Sequence, residues 1–214
     1  MADGLAGRLN VSQEEFLHNL DAGQHGCVFY FSKEELREIH FYFVKSGLEN
    51  NWGVVYATAT ESVDEVRQSM QKYGISVQNY EKQSGDGTLI ILRGEELYGD
   101  ARNPDMEKWL HSAKSVSEMF VSQGKRGVRV AADLSSHFLS CGLISQWHDL
   151  EYALEKKIPF PMTVLCAYDA RIPQLLESDV LKYYDRINAE NKEFVDAHSF
   201  SIYAHKNKSI IFKI

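Results

Sequence analysis

Short runs of apolar residues alternate with amphipathic segments along most of this chain. The runs are rich in β-branched and aromatic residues, as in HGCVFYF at residues 25–31 and MTVLCAY at residues 162–168. Between them, Leu36, Ile39 and Phe43 recur at the spacing of one helix face. Strands that alternate with helices form βα units, whose parallel sheet is covered on both faces. The pattern therefore predicts an α/β protein with a three-layer, doubly wound, mostly parallel sheet.

The two ends of the chain depart from this alternation. Residues 1–24 are predicted to form an N-terminal helical arm with a short helix at 13–21, and residues 25–214 a single α/β domain. We also expect a helix at residues 179–196 and a closing β-hairpin formed by residues 198–205 and 209–214. Helix starts are predicted at three capping boxes and one Asn-Pro pair: Ser12/Glu15, Ser32/Glu35, Ser62/Glu65 and Asn103-Pro104.

Charge and cysteine content restrict the surroundings in which the protein works. The 214 residues include 23 Lys and Arg against 30 Asp and Glu, a net charge of −7 that opposes binding to nucleic acid or anionic lipid. Its 3 cysteines have no Cys-x-x-Cys spacing, and no apolar run reaches the about 20 residues that cross a bilayer. We therefore expect a cytoplasmic protein with no membrane contact and no nucleic-acid partner.

The turn after the first predicted strand is unsuited to a polyphosphate. A P-loop needs glycines that let backbone N–H groups wrap the phosphates, and a lysine that meets their charge. Here the turn reads Phe31-Ser32-Lys33-Glu34-Glu35, with no glycine and two glutamates. The sequence predicts no tight triphosphate binding by that mechanism, although the helix start at Ser32 leaves room for a single carboxylate or phosphate.

Polar residues follow the predicted strands, where open α/β sheets bind their ligands. A small ligand could be held there by several hydrogen bonds, although polar residues also occur wherever buried strands reach solvent. Asp133 and Asp169 have a simpler explanation as caps of the following turns, for Asp133 through the amides of Ser135 or Ser136. The predicted ligand-binding residues are Tyr30, Ser32, Arg129, Asp133, Ser135, Tyr168 and Asp169.

Thiols, histidines and one glutamate are further candidates for chemistry. Cys27 and Cys166 lie in apolar strands, where a buried thiol usually packs in the core. The histidines are scattered, so a zinc site would have to assemble from distant elements, and we predict neither a metal nor another cofactor. Glu151 interrupts an apolar helix face, and a carboxylate that points inward needs Arg129 or another residue as its partner. His198, at the start of a strand, is expected to be structural.

Several segments together resemble the MEDS sensory domain over about residues 25–198. They are HGCVFYFSKEEL, Glu96-Leu97-Tyr98, Gly127 to Asp133 (GVRVAAD), Leu150-Glu151-Tyr152 and Leu165 to Asp169 (LCAYD). The resemblance implies a fold similar to circadian-clock-type, RecA-like ATPases that have lost the phosphate loop. It also implies a noncatalytic sensor of small organic molecules in prokaryotic signalling.

The resemblance extends to particular positions, with two departures. Beyond the ligand-binding set, the residues that match the family's characteristic sites are His25, Cys27, Glu151, Cys166 and His198. Asp133 stands where the family has a glutamate in a Gly-Glu-Met segment, which weakens any transfer of ligand identity. We expect no attached output domain, and therefore output through a separate protein partner. Two alternatives are an assembly module, which could form a homo-oligomer, and a divergent ATPase that uses Asp133 near a metal.

Overall fold

The computed structural model describes residues 9–81, 87–100, 102–155, 158, 160–172, 198–205 and 208–213. The predicted helix at residues 179–196 lies outside the described residues. The elements, in chain order, are α1 (Val11–His18), β1 (His25–Tyr30), α2 (Lys33–Glu49), β2 (Gly53–Thr58), α3 (Val63–Lys72), α4 (Val77–Tyr80), β3 (Leu89–Arg93), α5 (Gly94–Tyr98), α6 (Met106–Ser122), β4 (Val128–Ala132), α7 (Leu134–Ser140), α8 (Ile144–Glu155), β5 (Met162–Asp169), β6 (Phe200–His205) and β7 (Lys208–Lys213).

The strands form one seven-stranded sheet in the order β3-β2-β4-β5-β1-β6-β7. All neighbouring pairs are parallel except β6 and β7, which form the predicted closing hairpin. β5 lies in the middle of the sheet, and its first seven residues are buried, because helices cover both of its faces. The predicted doubly wound, mostly parallel sheet is confirmed.

Alternate residues of each strand point into two separate cores. Leu165 and Ala167 of β5 belong to the core that also contains residues of α1, α2 and α3. Cys166 and Tyr168 point to the other face, into the core that contains residues of α5, α6, α7 and α8. This second layer, called the α7/α8 layer below, contains the candidate site. None of the helices within the described residues has the length and apolar composition that crossing a bilayer requires.

Two of the four predicted helix starts are confirmed. Ser32 and Ser62 cap α2 and α3 with complete capping boxes. α1 begins earlier than predicted, because the Asn10 side chain accepts the amide of Gln13 and leaves Ser12 inside the helix. The Asn-Pro prediction for α6 is also wrong: the helix begins after Asp105, whose carboxylate accepts the amide of Lys108 at 2.9 Å.

Arg129 joins the sheet to α1 from the amino end of β4. Its side chain is fully buried, and its guanidinium donates hydrogen bonds to Ser46 Oγ at 2.9 Å and to the carbonyls of His18 at 2.9 Å and Leu20 at 3.2 Å. Burial lowers the pKa of Arg129 to about 10, and Arg126 adds to this decrease. A cation at these carbonyls also meets the negative end of the α1 dipole. Arg129 therefore holds α1 on the domain.

Replacing Arg129 with alanine should destabilise the protein by about 3–5 kcal/mol, because three acceptors lose their donor and a cavity forms. Urea unfolding measures this loss, and hydrogen exchange should show faster opening of α1. Arg126→Ala is the control, since that side chain is 48% exposed and reaches Asp21 only at 3.4 Å; it should cost about 1 kcal/mol or less. Equal losses in the two variants would contradict this role.

His40 on α2 is a fully buried imidazole. It has 0% exposure, neither ring nitrogen has a hydrogen-bond partner among the described residues, and its ring meets Tyr56 edge-on at 5.8 Å. Burial lowers the pKa of His40 from 6.5 to about 3. The folded protein therefore keeps this imidazole neutral at a pH where the unfolded chain binds a proton.

Stability should consequently decrease as the pH falls below about 6.5, by up to about 1.4 kcal/mol per pH unit from this group alone. The loss grows toward the folded pKa near 3, because only the unfolded state gains the proton in that range. His40→Leu should remove this part of the slope. Urea unfolding of both proteins at pH 7 and pH 5 tests it, and parallel profiles would rule the His40 contribution out.

Candidate functional site

A buried carboxylate lies at the centre of a polar cluster in the α7/α8 layer. Glu151 lies on α8, one helical turn after Trp147, and both residues have 0% exposure. β1 contributes His25 and β5 contributes Cys166, while His198 precedes β6. We call the set His25, Ser135, Glu151, Cys166, Tyr168 and His198 the Glu151 cluster; all of its members are buried. The cluster brings together segments that are far apart in the sequence.

The two carboxylate oxygens of Glu151 have different surroundings. Oε1 accepts hydrogen bonds from the Ser135 hydroxyl at 2.7 Å and from the Tyr168 hydroxyl. The indole N–H of Trp147 in turn donates to the Tyr168 oxygen at 3.2 Å. α7, α8 and β5 are therefore linked through one oxygen atom.

Oε2 of Glu151 faces two imidazoles and a thiol. His198 Nε2 is 3.4 Å from it and His25 Nε2 is 3.7 Å from it. His25 Nε2 also lies 3.4 Å from Cys166 Sγ. Cys27 is the partner of Cys166 in the register of β1 and β5, so a second thiol lies beside the cluster.

Burial raises the pKa of Glu151, but the nearby His198, His25 and Tyr168 outweigh this effect and bring the pKa down to about 2. The carboxylate is thus ionised at neutral pH. Burial, followed by the charge of Glu151, raises the pKa of Cys166 well above that of an ordinary cysteine, and the pKa of Cys27 rises for the same reasons. Within the described residues, no lysine or arginine forms an ion pair with Glu151.

A row of aromatic rings leads from the cluster toward the surface. Phe29 of β1 stacks on Tyr168 at 5.2 Å between ring centroids and on Tyr203 of β6 at 4.7 Å. Tyr168 is buried, Phe29 is partly buried and Tyr203 is 46% exposed. An apolar wall next to a few convergent polar groups is the usual composition of a small-molecule site.

The carboxyl edge of the sheet, in contrast, is occupied by its own hydrogen bonds. Asp133 accepts the amide of Ala59 at 2.6 Å and the hydroxyls of Thr58 and Thr60. Although these hydrogen bonds oppose it, burial raises the pKa of Asp133 overall. The expected capping of the next turn by Asp133 is wrong, because the side chain bonds the β2–α3 loop instead and makes no cap hydrogen bond.

Asp169, Tyr30 and Ser136 form a second group at this edge. Asp169 accepts the amide of Arg171 at 2.9 Å and its guanidinium at 2.6 Å, so its predicted turn-capping role is confirmed. Ser136 Oγ donates to the carbonyl of Ala167 at 2.8 Å, accepts the amide of Asp169 at 2.8 Å and receives the Tyr30 hydroxyl at 3.3 Å. The polar groups at this part of the edge therefore hydrogen-bond to one another.

A carboxylate of α2 itself lies at the start of that helix. Glu35 is buried, and its Oε2 accepts the backbone amides of Phe31 at 2.8 Å and Ser32 at 3.0 Å. The helix start at Ser32 was the predicted place for a ligand carboxylate or phosphate. The carboxylate of Glu35 already accepts these two amides, so they are not open to such a ligand.

The predicted ligand-binding residues thus fall in three places. Tyr30, Ser32, Asp133 and Asp169 lie at the carboxyl edge, whereas Ser135 and Tyr168 belong to the Glu151 cluster. Arg129 lies in neither place. The expectation that it lines a pocket at the carboxyl edge is wrong, because β4 begins at Val128 and places Arg129 at the opposite end of the strand. Its expected pairing with Glu151 is wrong for the same reason.

A protein-family model matches residues 24–182, more than half of the chain, and describes a "MEthanogen/methylotroph, DcmR Sensory domain". The chain belongs to the MEDS family. It therefore carries a sensory domain, and the predicted family membership is confirmed. A comparison with curated proteins gave no significant match.

Solved structures show that the MEDS domain shares a KaiC-like fold. A protein of Pyrococcus horikoshii described as KaiC-like, PH0186, superimposes with a TM-score of 0.57 at 14% identity, over 90% of this chain and 80% of that one. PH0321 of the same organism, solved with an unknown peptide, gives 0.64 at 10% identity over 97% and 90%. PH0250, also from P. horikoshii, gives 0.60 at 13% identity over 94% and 91%.

Three participants in this MEDS domain's site were not predicted from the sequence. Trp147 was not among the candidate residues, although its spacing of four residues from Glu151 places both on one face of α8. Phe29 and Tyr203 occupy alternating strand positions that share a face with Cys27. Their convergence required the strand order, which periodicity does not supply.

Glu151→Ala should cost about 3–5 kcal/mol, because it leaves two imidazoles, a phenol and a hydroxyl in an apolar layer without their acceptor. Glu151→Gln should cost less, because an amide oxygen can still accept from Ser135 and Tyr168. Urea unfolding measures both. Asp149→Ala on the exposed side of α8, 62% accessible, is the matched control and should change stability by about 0.5 kcal/mol or less. A glutamine variant as unstable as the alanine variant would show that the charge, not the acceptor, matters.

Proposed function

We propose that this MEDS domain is a noncatalytic sensor of a small organic molecule, recognised in the α7/α8 layer beside the Glu151 cluster. The aromatic row Tyr168–Phe29–Tyr203, which ends at a buried carboxylate, is the observation that carries the proposal. Stacked rings offer an apolar wall, and the cluster offers polar groups that orient a bound molecule. The family description, a sensory domain, agrees with such a role.

The proposed mechanism is a shift between two arrangements of α7 and α8. Both helices are tied to β5 through Glu151 Oε1, by Ser135 and Tyr168. A molecule that competes for these hydrogen bonds favours an arrangement in which the helices are released from the strand. The changed helix surface then acts on a separate output protein in a prokaryotic signalling pathway.

Nucleotide hydrolysis is less well supported by the same geometry. P-loop enzymes hold Mg²⁺ with a P-loop hydroxyl and an acidic residue, and they wrap the phosphates with backbone amides. Here Glu35 takes the amides of Phe31 and Ser32, and the β2–α3 loop engages Asp133. A hydrolase would first have to break both sets of hydrogen bonds.

Assembly is a second candidate, favoured by one surface feature. β7 is an edge strand, and Ile210, 56% exposed, lies opposite Tyr203 in the register of the hairpin. An edge hairpin with exposed apolar side chains can associate with the sheet edge of another chain. Light scattering of the wild type and of Ile210→Lys decides this: a dimer that the lysine dissociates supports assembly, and a monomer in both excludes it.

The sensor proposal is tested by thermal unfolding in the presence of small alcohols, amines, carboxylic acids and Mg²⁺-ATP. At least one organic class should raise the melting temperature, because binding to the folded state alone stabilises it. Tyr168→Phe keeps the ring but removes the hydroxyl that a competing molecule would hydrogen-bond in place of Glu151, so it should weaken that binding about tenfold.

Tyr30→Phe is the matched control, since it removes a phenol hydroxyl at the carboxyl edge, where it meets Ser136. Binding should be unchanged in this variant. The proposal fails if no organic compound stabilises the protein, or if only Mg²⁺-ATP does. A loss of binding in Tyr30→Phe but not in Tyr168→Phe would move the site to the carboxyl edge.

A further inference from the structure

We propose that the Glu151 cluster binds a divalent metal ion of the zinc type, with His25 Nε2, Glu151 Oε2 and Cys166 Sγ as its protein ligands. This inference rests on the sensing function proposed above, because it names the chemistry of the same site. The three ligand atoms lie within 4.8 Å of one another, and all three residues are buried. They come from β1, α8 and β5, so the fold alone brings them together.

The distances between the donors suit a four-coordinate ion. Zinc bonds of about 2.0–2.3 Å at tetrahedral angles place nitrogen, oxygen and sulfur donors about 3.4–3.6 Å apart. His25 Nε2 is 3.4 Å from Cys166 Sγ and 3.7 Å from Glu151 Oε2. The ligand atoms of Glu151 and Cys166 lie within 4.8 Å of each other, so side-chain rotation that closes this third distance lets an ion bind all three atoms.

The donor types select the class of ion. A thiolate and an imidazole favour zinc and neighbouring transition metals over Mg²⁺ and Ca²⁺, which prefer oxygen ligands. On binding, the Cys166 S–H proton leaves to solvent and the thiolate forms the metal–sulfur bond. The ion also compensates the buried charge of Glu151, which no lysine or arginine of the described residues pairs with.

The surroundings of Glu151 would orient it as a ligand. Ser135 and Tyr168 hold Oε1, which leaves Oε2 directed at His25 and His198. His198 Nε2, 3.4 Å from Oε2, acts as a positioning group for the carboxylate. With three protein ligands, a tetrahedral ion keeps a fourth position, which an oxygen, nitrogen or sulfur atom of the sensed molecule can occupy.

A surface pair could bind metal without any connection to this site. Cys141 Sγ lies 4.0 Å from His137 Nδ1 at the end of α7, and Cys141 is exposed. The test therefore uses Cys141→Ser as the parent protein. Cys27→Ser in that background is the matched control, because Cys27 is equally buried and pairs with Cys166 across the strands but is outside the three-ligand set.

The reduced, metal-free parent is titrated with Co²⁺ and then with Zn²⁺. One equivalent of Co²⁺ should give the intense visible bands of a four-coordinate ion and a thiolate-to-cobalt charge-transfer band, and Zn²⁺ should abolish both. Cys166→Ser should lose the charge-transfer band. Both Cys166→Ser and His25→Asn should bind Co²⁺ at least about tenfold more weakly than the parent. Cys27→Ser should match the parent. Circular dichroism reports whether each variant is folded.

X-ray absorption of the zinc-loaded parent needs no site variant and should show one sulfur ligand at about 2.3 Å among nitrogen and oxygen ligands. The inference is overturned if the cobalt spectrum is that of a six-coordinate ion, if Cys166→Ser titrates like the parent, or if no sulfur ligand is found.

The failure of the metal inference can be told from the failure of the proposed function. If these metal tests fail but the metal-free protein still binds an organic compound in a Tyr168-dependent manner, only the metal inference fails. If Zn²⁺ binds as described but no organic compound does, the metal site stands and the small-molecule proposal fails.

Discussion

A carboxylate in an apolar layer is stable only when protein groups replace the water it has lost. Glu151 meets this requirement with groups from α7, β5, β1 and the segment before β6. The relative positions of α7 and α8 on the sheet depend on these contacts. A group that alters them therefore acts on two helices at once, which is what a sensory domain requires.

The fold shows how a KaiC-like scaffold can use its own side chains to bond the backbone amides at the turns after its strands. The first turn of a helix that follows a strand presents amides that need acceptors, and P-loop proteins use phosphates for this. In the MEDS domain, Glu35 supplies the acceptor from within α2, and Asp133 supplies one for the β2–α3 loop. Among the described residues, the turns after β1 and β2 are thereby occupied by the protein's own carboxylates.

The success of the sequence-based predictions differs between local and distant features. The strand at residues 162–168, the capping boxes of α2 and α3 and the closing hairpin were predicted, because each depends on residues that are close together in the sequence. Arg129 was placed at the wrong end of the sheet, because it was grouped with residues that follow strands although it stands near the start of β4. The predicted partner of Glu151 was wrong. The sequence pattern shows which face of the helix carries Glu151, but it does not show which strand packs against that face.

The sequence by itself determined the class of fold, the burial of both strand thiols and membership of a sensory family, since these follow from short motifs and periodic patterns. Only the tertiary structure decided that His25 and Cys166, 141 positions apart, meet beside Glu151. The reason is that periodicity fixes which side of an element is buried, whereas the order and register of the strands fix what lies opposite. A site built from single residues of separate strands therefore exists only in the folded chain.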